Sequence, residues 1–235
     1  MKKPTIGVTL DFVEQGSFSA RPHYAIRESY FNMVRLAGGV PIGIPFQIDL
    51  IDEYLDMVDG IIVPGGDFAL DQSWYVAGDA PKFPPSKRLA FDIEIIRKAL
   101  AKNLPLLGIC AGMQILAGMH GCKLSSNIQT YSKTGASHRG TDPYKIAHDL
   151  KVVENSLLAK ITSLSEFGVN SHHSEGMVEV SPEVIISGYA DDDVIEAIEI
   201  IGKKFALGVQ WHPEFFLEDG NPNLQIAKAL VHAAL

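Results

Sequence analysis

The sequence is poor in cysteine, tryptophan and positive charge. Its 235 residues include two cysteines and two tryptophans, and 20 lysines and arginines stand against 28 aspartates and glutamates. Two cysteines cannot build a disulfide framework, which excludes a disulfide-rich extracellular fold and favours a reducing compartment. The net charge of -8 repels phosphate backbones, so nucleic acid is not expected as the main partner.

Long apolar runs are also missing. No apolar stretch approaches the roughly 18 residues that a membrane span requires. The apolar run near the N-terminus is too short for the core of a secretory signal. We therefore expect a soluble cytoplasmic protein that does not contact membranes.

What the sequence does contain is a series of short, nearly all-apolar segments. Continuous hydrophobicity is typical of strands that are covered on both faces, as in a mostly parallel sheet. Residues 194–200 alternate better and favour antiparallel pairing. The predicted strands are 5–10, 40–46, 60–64, 104–110, 183–190, 194–200 and 205–211.

Segments with helical periodicity alternate with these strands. They cover 23–39, 84–103, a stretch that begins just after Cys110, and 223–235. The alternation predicts an α/β fold, a three-layer sandwich with a mostly parallel central sheet, as one domain over residues 1–235. The long polar stretches 65–86 and 123–150 are interpreted as loops over a site.

One cysteine lies where a predicted strand turns into a helix. It is flanked by small residues, in the order Gly108-Ile109-Cys110-Ala111-Gly112. This arrangement is typical of a nucleophile elbow, in which the helix N-terminus favours a thiolate and the Ala111 N–H can donate to an oxyanion. The alternative is a small buried core residue, which is our interpretation of the other cysteine, Cys122.

A base for such a thiol is available at another strand end. The apolar segment 205–211 runs directly into His212-Pro213-Glu214. Glu214 can hold one imidazole nitrogen of His212 while the other faces the thiol. The alternative is an ordinary surface His–Glu pair.

Two further segments carry candidate site residues. Pro64-Gly65-Gly66-Asp67 follows a buried strand, and Gly66 can aim a second N–H at an oxyanion, although an ordinary turn would have the same composition. Asn170, Ser171, His172 and His173 crowd polar groups into one short segment. Because adjacent histidines point differently and no Cys or His partner has zinc-site spacing, we predict a substrate-contacting loop and no metal.

Four motifs in this order resemble the class I (triad) glutamine amidotransferase-like hydrolases. They are PGGD, GICAGMQ, VNSHHSEG and VQWHPE. The resemblance covers nearly the whole chain and is greatest for the branch of the gamma-glutamyl-gamma-aminobutyrate hydrolase type. It implies a flavodoxin-like fold and a hydrolase without a cofactor.

The resemblance also implies roles for individual residues. Cys110 would be the nucleophile, His212 the base and acid, and Glu214 the group that orients His212. The backbones of Gly66 and Ala111 would form the oxyanion hole. The substrate-binding residues would be Gly65, Gln114, Asn170, Ser171 and His173.

The chain departs from that branch at three places. Ala111 stands where arginine is usual, Glu175 stands where glutamine is usual, and Gly121-Cys122 replaces a double glycine. The Ala111 backbone N–H survives the change, so the departures bear on the substrate rather than on the chemistry.

Three functions remain open at this point. The first is cysteine-dependent hydrolysis of a γ-glutamyl amide through a γ-glutamyl thioester, with a small molecule as partner and a homodimer left open. The second is a glutaminase subunit that delivers ammonia to a separate synthase. The third is a non-catalytic binding protein, against which the intact Cys110, His212 and Glu214 argue.

Overall fold

The computed structural model describes residues 2–235. Its strands are β1 Thr5–Thr9, β2 Asp11–Val13, β3 His23–Ala25, β4 Val40–Ile44, β5 Gly60–Val63, β6 Leu106–Ile109, β7 Lys123–Ser125, β8 His148–Val152, β9 Glu166–Val169, β10 Gly176–Glu179, β11 Val184–Ala190, β12 Ile195–Ile200 and β13 Ala206–Val209. Its α-helices are α1 Glu28–Leu36, α2 Ile51–Met57, α3 Lys87–Ala101, α4 Ala111–Met119, α5 Leu157–Thr162 and α6 Pro222–Ala233.

A nine-stranded sheet forms the middle layer, in the order β4-β1-β5-β6-β13-β12-β11-β8-β9. The strands from β4 to β13 are parallel, and those from β13 to β9 pair antiparallel. Two small ladders, β2 with β3 and β7 with β10, lie outside this sheet. The sheet therefore has a parallel half and an antiparallel half.

Helices cover both faces of the sheet. Helices α1, α5 and α6 pack together on one face, and α2, α3 and α4 pack together on the other. Each interface has its own buried core, represented by Met33 and Leu230 on the first side and by Phe91 and Ile95 on the second. The predicted three-layer α/β sandwich is confirmed.

All seven predicted strands are present, but one helix is shorter than predicted. The helix expected over 23–39 begins only at Glu28, because residues His23–Ala25 pair with Asp11–Val13 as a hairpin. Two helices, α2 and α5, and several short strands were not predicted. Strand β7 and the start of β8 fall within the predicted loop 123–150, where polar residues hide their strand character.

Strand register brings the candidate site together. Val63 of β5 lies beside Gly108 of β6, and Ile109 of β6 lies beside Val209 of β13. These three neighbouring parallel strands end at the same edge of the sheet, where open α/β folds bind ligands. Within residues 2–235, no helix is long and apolar enough to cross a membrane.

Candidate active site

Cys110 lies in a strained turn between β6 and α4. Its φ of 51° and ψ of -106° are unfavourable for a residue with a side chain. The flanking glycines are required by space: a Cβ on Gly112 would lie 2.1 Å from the Val63 carbonyl oxygen, and one on Gly108 would lie 2.7 Å from the Gly112 carbonyl carbon. The predicted elbow is present, and strain of this kind is often found at functional sites.

His212 and Glu214 form a buried pair directly after β13. Nδ1 of His212 lies 2.8 Å from Oε1 of Glu214, and the two side chains are 7% and 0% exposed. The main chain of His212 is held by Asn170, whose Oδ1 accepts from the His212 N–H at 2.8 Å. The amide nitrogen of Asn170 donates to the His212 carbonyl at 3.0 Å.

The electrostatic environment of His212 favours the imidazolium. Burial alone would lower its pKa, but the charge of Glu214 and the hydrogen bond and charge of Cys110 raise it to about 10. Nδ1 is taken by Glu214, so the other ring nitrogen serves Cys110. A protonated imidazole next to the sulfur stabilises the thiolate, which is the nucleophilic form of cysteine.

The segment after β5 is held by two residues that sequence reasoning missed. Arg88, which is fully buried at the start of α3, donates to the carbonyl oxygens of Pro64 and Gly65, the latter at 2.7 Å. The hydroxyl of Tyr30 accepts from the Gly65 N–H at 3.2 Å. Burial and the charge of Glu214 raise the pKa of Tyr30 well above its usual value, so this hydroxyl stays protonated.

Arg88 has its own counterion within the same helix. Its Nε donates to Oδ2 of Asp92 at 2.8 Å, and both side chains are fully buried. Neither residue belongs to a motif that could have revealed this role. An arginine at i and an aspartate at i+4 are typical of an exposed helix face, and only the tertiary structure shows that they support the Pro64-Gly65 turn.

Gly65 and Gly66 leave room for the chemistry. A Cβ on Gly65 would lie 2.8 Å from Cε1 of His212 and 3.1 Å from Cβ of Cys110. Among the described residues, the N–H groups of Gly66 and of Ala111, the first residue of α4, are not used in hydrogen bonds. Both are therefore available to bind an oxyanion, although the role itself stays a prediction.

These residues open into a cavity of about 490 Å³. Cys110, His212, Gly65, Gly66 and Tyr30 line its floor. The β2–β3 hairpin supplies one wall, and the charged or titratable side chains on its lining are Asp11, Arg27, Asp67 and His172. The cavity thus offers groups of both signs close to the thiol, as an amino-acid ligand would require.

Four of the five predicted substrate-binding residues do not line this cavity. Gly65 does, whereas Gln114, Asn170, Ser171 and His173 are buried and bonded to protein atoms. Asn170 positions His212, as described above, and the Ser171 hydroxyl donates to the His138 carbonyl at 2.6 Å. From that segment it is His172 that reaches the cavity.

Glu175 stands where the resembling family has glutamine, and it connects two long segments. Its carboxylate accepts from the Tyr75 hydroxyl and, at 2.9 Å, from the Lys82 N–H. Its carbonyl oxygen accepts from the Gln114 side chain at 2.8 Å. Burial raises the pKa of Glu175. The residue lies outside the cavity lining, so its contacts support the segment 65–86 rather than a ligand.

Cys122 is a packing residue. It is 1% exposed, and its sulfur accepts from the Ser181 N–H at 3.4 Å. Burial raises the pKa of its thiol, which disfavours the reactive thiolate. Of the two cysteines, only Cys110 therefore has the surroundings of a nucleophile.

Comparison with known proteins agrees with this geometry. A gamma-glutamyl-gamma-aminobutyrate hydrolase of Escherichia coli K12 is 33% identical over 92% of this chain and 87% of its own length. A glutamine amidotransferase-like protein of Rickettsia prowazekii is 34% identical over 99% and 98%. Protein NtpR of Enterococcus hirae is 30% identical over 80% of each chain.

The fold is also known from solved structures. One of the GMP synthase type, from Thermoplasma acidophilum, superposes with a TM-score of 0.65 over 100% of this chain and 95% of that one. At 15% identity this likeness concerns the fold alone.

A family model settles the relationship. The model of Peptidase C26 matches residues 4–214, a span that includes the Cys110 elbow, the Gly65-Gly66 turn and the His212–Glu214 pair. Together with the hydrolase relative, this match supports a hydrolase of the glutamine amidotransferase-like type. The chain belongs to the Peptidase C26 family.

Proposed function

We propose that the protein hydrolyses the amide bond of γ-glutamyl compounds, with Cys110 as nucleophile. The observation that carries the proposal is a cysteine in a strained turn at the floor of a cavity, beside a buried His212–Glu214 pair and two N–H groups without partners. These are the parts that acyl transfer through a thioester requires.

The reaction begins with acylation of Cys110. His212 takes the thiol proton, and the thiolate attacks the γ-carbonyl carbon to form a C–S bond and an oxyanion. The N–H groups of Gly66 and Ala111 bind that oxyanion. When it collapses, the C–N bond breaks and the amine leaves with the proton that His212 returns to it.

Hydrolysis of the thioester completes the cycle. His212 removes a proton from water, the hydroxide adds to the thioester carbonyl, and the C–S bond breaks. Glutamate leaves, and Cys110 recovers its proton from His212. Glu214 keeps the imidazole in one tautomer and stabilises the imidazolium in both halves, as the third member of such groups does elsewhere.

The substrate class is supported by the relatives and by the cavity. The Escherichia coli relative is a gamma-glutamyl-gamma-aminobutyrate hydrolase. The glutamyl head carries one carboxylate and one ammonium group, and Arg27 offers a cation while Asp11 and Asp67 offer anions at the cavity wall. Charge complementarity at these positions would fix the head group relative to Cys110.

A hydrolysis screen tests the proposal. The panel contains glutamine, γ-glutamyl-γ-aminobutyrate, γ-glutamyl dipeptides and polyglutamylated folate, with α-linked glutamyl dipeptides as the matched control. We expect glutamate and free amine from at least one γ-linked compound and none from the α-linked ones. A covalent γ-glutamyl adduct on Cys110, trapped by acid quenching and located by mass spectrometry, identifies the intermediate.

Two results would contradict the proposal. The first is that no γ-linked compound turns over in protein whose Cys110 still reacts with iodoacetamide. The second is ammonia release from glutamine alone that rises only when a synthase is added, which would favour the function of a glutaminase that serves a synthase. The homodimer, the synthase partner and the cytoplasmic location stay predictions.

A further inference from the structure

A second group of histidines surrounds a carboxylate in the antiparallel half of the sheet. It consists of His138, His148, His173 and Glu196, which we call the histidine cluster. Their side chains are 2%, 11%, 2% and 0% exposed, respectively. None of them lines the cavity at Cys110, and the proposed hydrolysis does not use them.

The three rings converge on one oxygen atom. Oε1 of Glu196 lies 3.1 Å from Nδ1 of His138, 3.7 Å from Nε2 of His148 and 3.2 Å from Nε2 of His173. The four residues come from separate parts of the chain. His138 belongs to the loop after β7, His148 opens β8, His173 follows β9, and Glu196 is in β12.

The outer nitrogen of each ring faces an acceptor. Nε2 of His138 lies 3.0 Å from Oδ2 of Asp192, and Nδ1 of His173 lies 3.0 Å from the Glu175 carbonyl oxygen. Nδ1 of His148 lies 3.2 Å from the carbonyl oxygen of the next residue, Asp149. A carbonyl or carboxylate oxygen can only accept, so each outer nitrogen carries the proton in a neutral ring.

The inner nitrogens then present lone pairs to a carboxylate. Three lone pairs and a carboxylate repel one another, and the alternative of three buried imidazolium ions around Glu196 concentrates positive charge. A cation at the centre removes both difficulties, because it accepts all four donors at once.

Missing hydrogen bonds mark the same place. Within residues 2–235, Nδ1 of His138, Nε2 of His148 and Oε2 of Glu196 are buried and lack a hydrogen-bond partner of acceptable geometry. Buried polar atoms are nearly always satisfied, so three orphans in one cluster call for a further partner such as an ion. The ligand atoms of these three residues lie within 4.8 Å of one another.

We propose that the histidine cluster binds one Zn²⁺ ion. Three imidazole nitrogens and one carboxylate oxygen are the donor types of zinc sites, and tetrahedral coordination at about 2.0–2.1 Å separates neighbouring ligand atoms by about 3.3 Å. The separations from Oε1 of Glu196 given above bracket this value. Four protein ligands close the coordination sphere, so the ion is structural rather than catalytic.

The surroundings agree with this role. A metal-bound histidine usually donates its other N–H to a carboxylate or carbonyl group, as all three rings do here. Along the chain, His173 has no partner at zinc-site spacing, and only the fold brings His138 and His148 to it. The ion would fasten the loop that holds His138 to the sheet, next to the segment whose Asn170 positions His212.

Zinc binding to the untagged protein tests the proposal. After treatment with a chelator, the protein is titrated with Zn²⁺ alone in competition with a chromophoric chelator, and bound zinc is counted by elemental analysis. We expect one zinc per chain. His148→Gln, which removes the least buried ligand, should weaken binding by about tenfold or more, whereas His232→Gln on the exposed end of α6 should bind as the wild type does.

Two further measurements keep the test decisive. Cys110→Ala protein should retain the zinc, which separates the histidine cluster from the candidate active site. X-ray absorption of the wild-type zinc complex should show nitrogen and oxygen neighbours with imidazole scattering and no sulfur. A wild-type protein that binds no zinc, a His148→Gln protein with wild-type affinity, or a sulfur ligand would each overturn the proposal.

Discussion

The protein contains two buried histidine–carboxylate groups, and they differ in how the chain builds them. His212 and Glu214 are two residues apart, follow one strand and face a cavity. The histidine cluster draws four residues from four segments and is nearly closed to solvent. The first arrangement leaves a nitrogen free for a reacting group, and the second directs every inner nitrogen at the same carboxylate.

This difference teaches how to separate chemistry from support. A histidine whose second nitrogen faces a cavity and a thiol can move a proton during a reaction. Histidines that enclose a carboxylate have no open position for a substrate and can only stabilise the fold. Equivalent substitutions in the two groups should therefore change different observables.

Replacement of the nucleophile should give the largest effect. Cys110→Ala removes the only group that can form the thioester, so we expect kcat/KM for a γ-glutamyl amide to fall by about 10⁴-fold or more. Alanine occupies the same strained backbone, so the thermal unfolding midpoint should change little. Residual hydrolysis near the wild-type rate would show that another residue is the nucleophile.

The two glutamates provide the sharpest contrast. Glu214→Gln should lower kcat by about 10²-fold or more because the imidazolium loses its partner, yet leave more activity than Cys110→Ala. The pKa of His212 should fall from about 10, because the attraction of Glu214 raises it. NMR titration of the His212 ring measures this shift directly, and an unchanged pKa would contradict the proposed role of Glu214.

Glu196→Gln is the matched substitution in the histidine cluster. It removes the central charge, so we expect a loss of about 3–5 kcal/mol in the free energy of unfolding. Where the variant is folded, kcat should stay close to the wild-type value, since Glu196 does not line the cavity. Chemical denaturation and steady-state kinetics on the same preparation check both halves of the statement. A drop in kcat equal to that of Glu214→Gln would erase the contrast.

Arg88→Met tests a residue that supports the candidate active site without lining its cavity. It leaves Asp92 and the carbonyls of Pro64 and Gly65 unpaired in the interior, so we expect a loss of about 3 kcal/mol or more. The second variant, with Asp92→Leu added, removes the unpaired charge and should recover part of that stability. Turnover should stay reduced in both variants, because the Gly65-Gly66 turn has lost its anchor.

The smallest effect is expected at the contact between the two long polar segments. Asp79 accepts from the Ser125 hydroxyl and the Ser126 N–H, both at 2.8 Å. Hydrogen bonds from Ser126 lower the pKa of Asp79 to about 2. Its stabilising contribution is therefore present above the unfolded pKa near 3.8 and is lost as the pH falls towards 2.

Asp79→Asn should cost about 1 kcal/mol at neutral pH. The difference between the wild-type and variant unfolding free energies should shrink below pH 4, as denaturation at several pH values would reveal. A difference that stays constant down to pH 2 would show that the carboxylate charge plays no part.

Much of the candidate site could be predicted because its residues follow strands directly. Cys110, Gly66 and His212 each come just after an apolar segment, and parallel strands place such positions at one edge. Local composition therefore carried the information. The helix over 23–39 was overestimated because His23–Ala25 forms a hairpin, a tertiary pairing that helical periodicity cannot reveal.

The rest of the site could not be predicted because its signal is not local. Arg88 has the sequence setting of an exposed helix residue, yet it is fully buried beneath the Pro64-Gly65 turn. The polar segment around Asn170 was predicted to touch substrate, but Asn170 instead holds the main chain of His212. Polar composition marked the region correctly without distinguishing a ligand contact from a support.

The position of β13 has a consequence for how the protein becomes active during synthesis. This strand inserts between β6 and β12, although almost the whole chain precedes it. A nascent chain that has emerged only as far as β12 exposes one edge of β6 and presents Cys110 without His212. Reactivity therefore arises in a single late step, when the last strand completes the sheet, and a chain truncated before β13 should carry an unactivated thiol and an open edge prone to aggregation.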